Sequence, residues 1–409
     1  MPGSGRLPLW HGRTLALLAI LLIALNLRSA VAALSPIIAH VNVDIPLNSV
    51  DVGVLGMLPP ICFAVFGFAA PFVTRRLSLE ATSVLALVAM LVGDLVRAAA
   101  GSFLLLVVGS VAVFAGMGVG NVLLPPLVKR YFPDRIGLMT SLYVIVISIS
   151  TFVPPLVAVP VADAAGWRIS IGVWALVVVI AFVPFVGMRR QARIARANGV
   201  EAIELPTGAA VTGLWRSSIA WSIMVIFTVS SINVYALFAW LPAVLTQTVG
   251  ASPAEAGILL SLYAAMGLVS AIFVPMLATR MKNVALLVYL AVAFYVVGYL
   301  GLIFIPGTAT WLWVSLAGLG PLTFPLALAL INVRTRTHEG SVALSGFVQG
   351  VGYLIAATGP LLFGVFHQFS GGWTVSMVFL LCTALAAAVA GVVVARPHML
   401  EDRLRVRNR

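Results

Sequence analysis

Twelve apolar stretches, each long enough to cross the roughly 30 Å hydrocarbon core of a bilayer, follow one another along this chain. They lie near residues 14–40, 49–73, 79–99, 102–128, 136–162, 168–188, 217–248, 253–278, 284–305, 309–333, 341–367 and 373–395. A run of such length with few charges reads as a transmembrane helix. The remaining sequence is too short for a separate soluble domain. Only 9% of the 409 residues are charged and 62% are hydrophobic, whereas soluble domains carry about 25% charged residues. Mean hydropathy is +1.12. The expected fold is an all-α membrane protein of twelve transmembrane helices. Its first stretch is too long, and lacks a suitable small-residue cleavage site, to be a simple signal peptide.

A net charge of +12 would suggest nucleic acid as a partner in a soluble protein. Here the placement of the charges makes that the weaker reading. All but Arg28, Arg97 and Arg168 of the 24 basic residues fall in seven short segments that twelve crossings put on one side. Asp44, Asp51, Asp163 and Glu255 fall on the other. The excess of Lys and Arg in cytoplasmic loops then puts both termini in the cytoplasm of a multi-pass plasma-membrane protein, with the lipid bilayer as its surroundings. Cys62 and Cys382 both lie in spans, so neither a disulfide framework nor a zinc site follows, and both are expected to be packing residues.

One long polar interruption, beginning at Met188 and running to about Gly213, separates six spans from six. This divides the chain into a six-helix bundle over 1–188, a cytoplasmic linker over 189–215, a second bundle over 216–396 and a basic tail over 397–409. The halves also repeat. Val50 through Arg76 aligns without gaps to Ala254 through Arg280, matching Gly53 with Gly257, Pro71 with Pro275 and Arg76 with Arg280. Gly166-Trp167 likewise matches Gly372-Trp373. Two parallel six-span repeats resemble the major facilitator architecture, with its pseudo-symmetric bundles and a substrate site near midplane between them.

Chemistry is sparse. A Walker A loop needs Gly-Lys-Ser/Thr, and Lys129 and Lys282 are the only lysines, so no P-loop can be drawn. His338-Glu339 lacks the second histidine of a metalloprotease, because position 342 is Val. Neither a catalytic constellation, a metal site nor a cofactor is expected, and the chain is not read as an enzyme. Three formal charges lie within the membrane. Asp94 and Arg97 stand three apart on one helix, where they can pair, and are expected as a local ion pair near the outer interface. Arg28, in the middle of the first span, has no carboxylate within a turn. Burying a guanidinium there costs about 2.5–3.5 kcal/mol on insertion scales, and it cannot shed its proton. Its face carries Leu21, Ala24, Ala32 and Ser35, mostly small residues that leave room for a ligand. Asn26 is expected to pack against a neighbouring span. Arg28 is therefore the first candidate for substrate contact, the alternative being a structural bond to helix carbonyls. Asn121, Tyr143, Asn233, Trp240, Tyr263, Phe324, Gln349 and Tyr353 are candidates for the polar and aromatic wall around it. Gly346 and Gly350 are expected to let helices approach closely.

Leu25-Asn26-Leu27-Arg28 followed by Ser35-Pro36 resembles the first span of the cyanate and 2-nitroimidazole permeases, a branch of the major facilitator superfamily. Lys129 through Phe132, Trp240-Leu241-Pro242, Gly250-Ala251-Ser252, Ala256-Gly257, Gly318-Leu319-Gly320, Phe324-Pro325 and Gln349 through Tyr353 resemble its further motifs, in order along nearly the whole chain. Ser29 departs from the proline often found after the arginine, and span five lacks the glycine run of relatives. The loop after span two is reduced to Pro71 through Glu80, so the inward-closing lock is expected to use other contacts. The resemblance implies alternating-access transport of a small anion or small polar heteroaromatic molecule. The competing reading is a drug or antibiotic efflux carrier. Moving one negative charge inward opposes about 2.3 kcal/mol per 100 mV, so concentrative uptake calls for a coupled proton, another cation or an exchanging anion. The chain is read as a monomer.

Overall fold

The computed structural model describes residues 13–197, 214–281, 283–395 and 399–400. These contain helices and connecting turns and no strand. Among the described residues twelve helices are long and apolar enough to cross a membrane. The first six are α1 (Thr14–Asp44), α2 (Ser49–Arg76), α3 (Leu79–Ala98), α4 (Phe103–Tyr131), α5 (Ile136–Ala165) and α6 (Trp167–Gly187). The second six are α7 (Ser218–Val249), α8 (Pro253–Arg280), α9 (Ala285–Phe304), α10 (Thr310–Val333), α11 (Gly340–Ser370) and α12 (Thr374–Val394). An even number of crossings returns residues 13 and 395 to the same end. Most of the 189–215 linker and nearly all of the 397–409 tail lie outside the described residues.

The repeat read from the sequence has a physical cause at the start of α2 and α8. The Asn48 side chain accepts from Asp51 N at 3.0 Å, while the Asp51 carboxylate accepts from Asn48 N at 3.0 Å. At the equivalent position Ser252 Oγ accepts from Glu255 N at 3.3 Å, and Glu255 accepts from Ser252 N at 2.8 Å. Each is a capping box that satisfies two orphan N–H groups of a helix start. Asp51 and Glu255 are thus helix caps as well as charges at the end opposite the basic segments.

Just beyond these caps the first six spans meet the last six. The Cα of Gly53 faces Leu361 so closely that an added Cβ would lie 3.0 Å from Leu361 Cα. At Gly257 it would lie 2.6 Å from the Pro155 carbonyl oxygen. The matched glycines therefore perform the same task in both halves: α2 packs on α11 and α8 packs on α5. Ser261 Oγ donates to Phe152 O at 2.5 Å in the second contact. Gly267, halfway along α8, and Gly346 and Gly350, in the first half of α11, face open space. The Gly346–Gly350 pair consequently does not mediate the close helix approach expected of it. Gly352 and Gly359 do so instead, against Phe227 and Ile232 of α7.

A continuous apolar core joins Ile20, Leu87 and Phe114 of the first set to Phe227, Leu326 and Phe347 of the second. Cys62 belongs to this core, but Cys382 is exposed, so only the first is a packing residue. At the basic end Glu80 is fully buried, accepting from Tyr131 Oη at 2.6 Å and pairing with Arg130 at 3.0 Å. The Lys129–Phe132 motif thus has a partner on α3 that the sequence reading did not assign.

Candidate functional site

The first span is broken where Arg28 stands. Helix Thr14–Asn26 ends there, a single turn Ser29–Ala32 follows, then a 3-10 turn Ser35–Ile37 and helix Ile38–Asp44. Asn26 anchors the break on one side: its amide donates to Leu22 O at 2.8 Å and to Val177 O of α6 at 3.4 Å. It packs against a neighbouring span, as expected. Arg28 has φ −136° and ψ −13°, outside helical geometry, and its carbonyl accepts from Val31 and Ala32 N–H, both at 3.1 Å. The face predicted to run from Leu21 through Arg28 to Ser35 is accordingly not one continuous helical stripe.

The half-buried Arg28 guanidinium donates to Leu27 O at 2.9 Å and lies 4.9 Å from the centroid of the Phe63 ring. No carboxylate pairs with it among the described residues. Phe63 of α2 meets Tyr235 of α7 at 6.4 Å and Tyr353 of α11 at 6.0 Å, both edge to face. Tyr353 also meets Phe227 at 4.9 Å, and Phe227 meets Phe324 of α10 at 5.1 Å. Tyr235 and Tyr353 also meet each other edge to face at 6.2 Å. One cation and five rings from five spans thus form a box shared by the two sets of six. Such edge-to-face rings present positive edges and negative faces. The rings pack on one another, and the Arg28 guanidinium at their edge carries a planar fork of donors suited to a flat or electron-rich group. Directly beyond it lies a small apolar pocket bounded by Ala30, Val31, Gly56, Phe114 and Tyr235, into whose wall Ser35 is set.

Of the sequence candidates, Arg28, Phe324 and Tyr353 are brought together in this box. Gln349 lies one turn from Tyr353 on α11 and donates to Ser345 Oγ at 2.7 Å. Asn121 is half-buried on α4 beside Gly120, which packs on Leu27. Tyr143 is half-buried on α5 and makes no ring contact with the box. Asn233 stands apart. Its amide donates to Val229 O at 2.7 Å and Thr383 Oγ1 at 3.1 Å, and it accepts from Tyr299 Oη at 2.6 Å. That network ties α7 to α9 and α12. Trp240 donates to Pro360 O at 2.8 Å and packs with Phe363, His367 and Trp373 near the capped end. Tyr263 is buried against Phe238.

The sequence reading missed Phe63, Phe227 and Tyr235. Tyr235 is two residues from Asn233, about 200° around the helix, so the reading singled out the opposite face of α7. Asp94 and Arg97 pair at 3.7 Å, as expected, in the last turns of α3, and both are almost wholly buried among the helices.

Twelve apolar helices in two sets of six, among the described residues, have the make-up of a multi-pass membrane protein. Residues 16–345 match the model of the Major Facilitator Superfamily, and the chain belongs to that family of transporters. It is 31% identical to an uncharacterized transporter of Bacillus subtilis over 95% of each chain. It is 28% identical to the 2-nitroimidazole transporter of Escherichia coli, covering 94% of this chain and 96% of that one. With the cyanate transport protein of Escherichia coli it shares 26% identity, covering 89% and 92%. The family branch suggested by the sequence motifs is therefore matched over most of the chain. Among solved structures, a bacterial homologue of the lysosomal transporter Spinster, in an inward-facing and occupied conformation, superposes with a TM-score of 0.73 at 14% identity, covering 96% and 98%.

Proposed function

We propose that this transporter is a secondary carrier working by alternating access, and that it binds a small anion or small polar heteroaromatic molecule, cyanate-like or nitroimidazole-like, at Arg28. The observation that carries the reading is the guanidinium without a carboxylate partner at the break in α1, seated on Phe63 in a box built by both sets of spans. Burying such a charge is costly, and a ligand's negative or electron-rich group offsets that cost. Phe63, Phe227, Tyr235, Phe324 and Tyr353 wall the ligand, and Gln349 stands ready one turn away. The two six-span sets act as the moving bodies. They meet at the capped end through Gly53 with Leu361 and Gly257 with Pro155, whereas Gly346 and Gly350 nearer the basic end face open space. This supports reading the state as open toward the basic end, which the distribution of Lys and Arg makes cytoplasmic in this proposal.

The test is a thermal-stabilisation screen of purified protein against cyanate, 2-nitroimidazole, 4-hydroxybenzoate and inorganic anions. A ligand present at about a hundred times its Kd stabilises the folded form by about 2.7 kcal/mol. The reading expects at least one such compound to raise the melting temperature, and to lose that effect in Arg28→Ala. Compounds that stabilise wild type and Arg28→Ala equally would count against it. Accumulation or depletion of the labelled ligand in expressing cells then separates uptake from efflux.

A further inference from the structure

Arg97 is the largest fully buried side chain among the described residues. It sits on α3, whose residues make no ring contact with the aromatic box. Its guanidinium is turned toward α1, where Nη2 donates to the carbonyl of Ala30 at 3.2 Å. Ala30 belongs to the single turn Ser29–Ala32 that follows Arg28. We propose that Arg97 is a positioning residue that fixes this turn, and through it the direction of the Arg28 guanidinium, with Asp94 as the counter-charge that permits its burial. The proposal rests on the reading of Arg28 as the ligand's cation site.

Four observations carry it. First, one helical turn is close to the costly nucleus of a helix and is weakly held by its own bonds. A hydrogen bond from a charged donor is roughly twice as strong as a neutral one, so Arg97 supplies rigidity the turn lacks. Second, the route from Ala30 to Arg28 is short: the Arg28 carbonyl accepts from Val31 and Ala32 in the very turn that Arg97 holds. Third, α3 and α4 are shaped to admit the arginine. A Cβ on Gly109 would lie 2.8 Å from Arg97 Cγ and 2.9 Å from Arg97 N, so only glycine leaves room for its stem. Phe114, which bounds the pocket beside Ala30 and Tyr235, lies 5.7 Å from the guanidinium carbon. Fourth, the pair is not built for stability alone. Asp94 Oδ1 and Arg97 Nε and Nη1 have no hydrogen-bond partner, and a partly satisfied buried ion pair is a poor stabiliser compared with apolar packing. The one hydrogen bond the guanidinium does make goes to the turn next to Arg28.

The experiment compares four purified proteins: wild type, Arg28→Ala, the neutral double variant Asp94→Asn/Arg97→Met, and Arg97→Lys. The double variant leaves no buried charge unpaired, which guards against loss of folding. Arg97→Lys keeps the charge for Asp94 but has a different donor geometry. Hydrogen–deuterium exchange of peptides covering 27–34 reads the turn directly, with peptides from α9 as the control. Affinity is measured with whichever of 4-hydroxybenzoate, 2-nitroimidazole and cyanate stabilises wild type. The expected result is faster exchange at 27–34 by about tenfold or more, unchanged exchange in α9, and an affinity loss of similar size in the double variant. Arg97→Lys should fall between. Wild-type protection at 27–34 in the folded double variant overturns the proposal. So does wild-type affinity there when Arg28→Ala has lost it. Wild-type affinity in Arg28→Ala instead overturns the cation-site reading, and the exchange data alone then decide whether Arg97 holds the turn.

Discussion

Arg28 is held by a break, and that determines what its replacement does. Its guanidinium uses one donor on Leu27 O and rests on Phe63, so the remaining donors are free to meet a ligand. Arg28→Ala removes a buried cation together with its desolvation cost, and the purified variant should melt within a few degrees of wild type. Its ligand affinity should fall on the order of a hundredfold, the usual scale for truncating one side of a desolvated charged contact. Arg28→Lys should lose a substantial part of that affinity too, because an ammonium lacks the planar fork. Melting temperature and affinity measured on the same samples check this; a large stability loss with affinity intact would assign Arg28 to packing. Arg28 was legible in the sequence because a charge in an apolar run has few explanations. Tyr235 and Phe63 were not, since an aromatic residue in an apolar helix looks the same whether it faces lipid, core or ligand. Asn233 shows the converse: a polar residue at the right depth that the fold spends on α9 and α12.

At the scale of elements, the internal repeat was legible as matched residues but its purpose was not. Asp51 and Glu255 recur because each closes a capping box, and Gly53 and Gly257 recur because each lies where one set of spans touches the other. Helix breaks were harder to read. Ser35-Pro36 and Gly320-Pro321 mark 3-10 turns in α1 and α10, whereas the break at Arg28 has neither glycine nor proline. The glycine contacts lead to a prediction about the conformational equilibrium. A Cβ at Gly257 would lie 2.6 Å from the Pro155 carbonyl, which is backbone and cannot swing aside. Gly257→Val should therefore prop α8 away from α5 and bias the carrier toward opening at the capped end. Pulsed electron-spin distances between labels at the outer ends of α5 and α8 should lengthen by several ångströms, with transport reduced. Unchanged distances would show that the contact is not the seal.

Across the whole molecule, ion pairs and charge placement divide the two ends. At the basic end Arg13 pairs with Asp134 at 2.5 Å, and that hydrogen bond from Arg13 holds the Asp134 carboxyl below its ordinary value. A lowered folded-state value means the contribution is present above the unfolded carboxylate range, near pH 4 or about there, and is lost as pH falls through the folded value. The pair is exposed to solvent and its effect is correspondingly small. Asp134→Asn should lower the melting temperature slightly at pH 7, and the difference from wild type should vanish toward pH 3. At the opposite end Asp44 pairs with Arg168 and accepts from Trp167 Nε1, while His40 meets Asp163 at 2.8 Å. These local partners leave the basic segments as the orienting signal, because Lys and Arg in short loops set topology while acidic residues contribute little. Tags at either terminus or within 195–212 should therefore be reachable only from the cytoplasm, and tags beside Asp44 or Asp163 only from outside. Membrane-impermeant labelling of intact and permeabilised cells reads this directly. Because twelve crossings place both termini on one side, a terminus labelled in intact cells would reverse the assignment of every loop, and with it the side to which the open end faces.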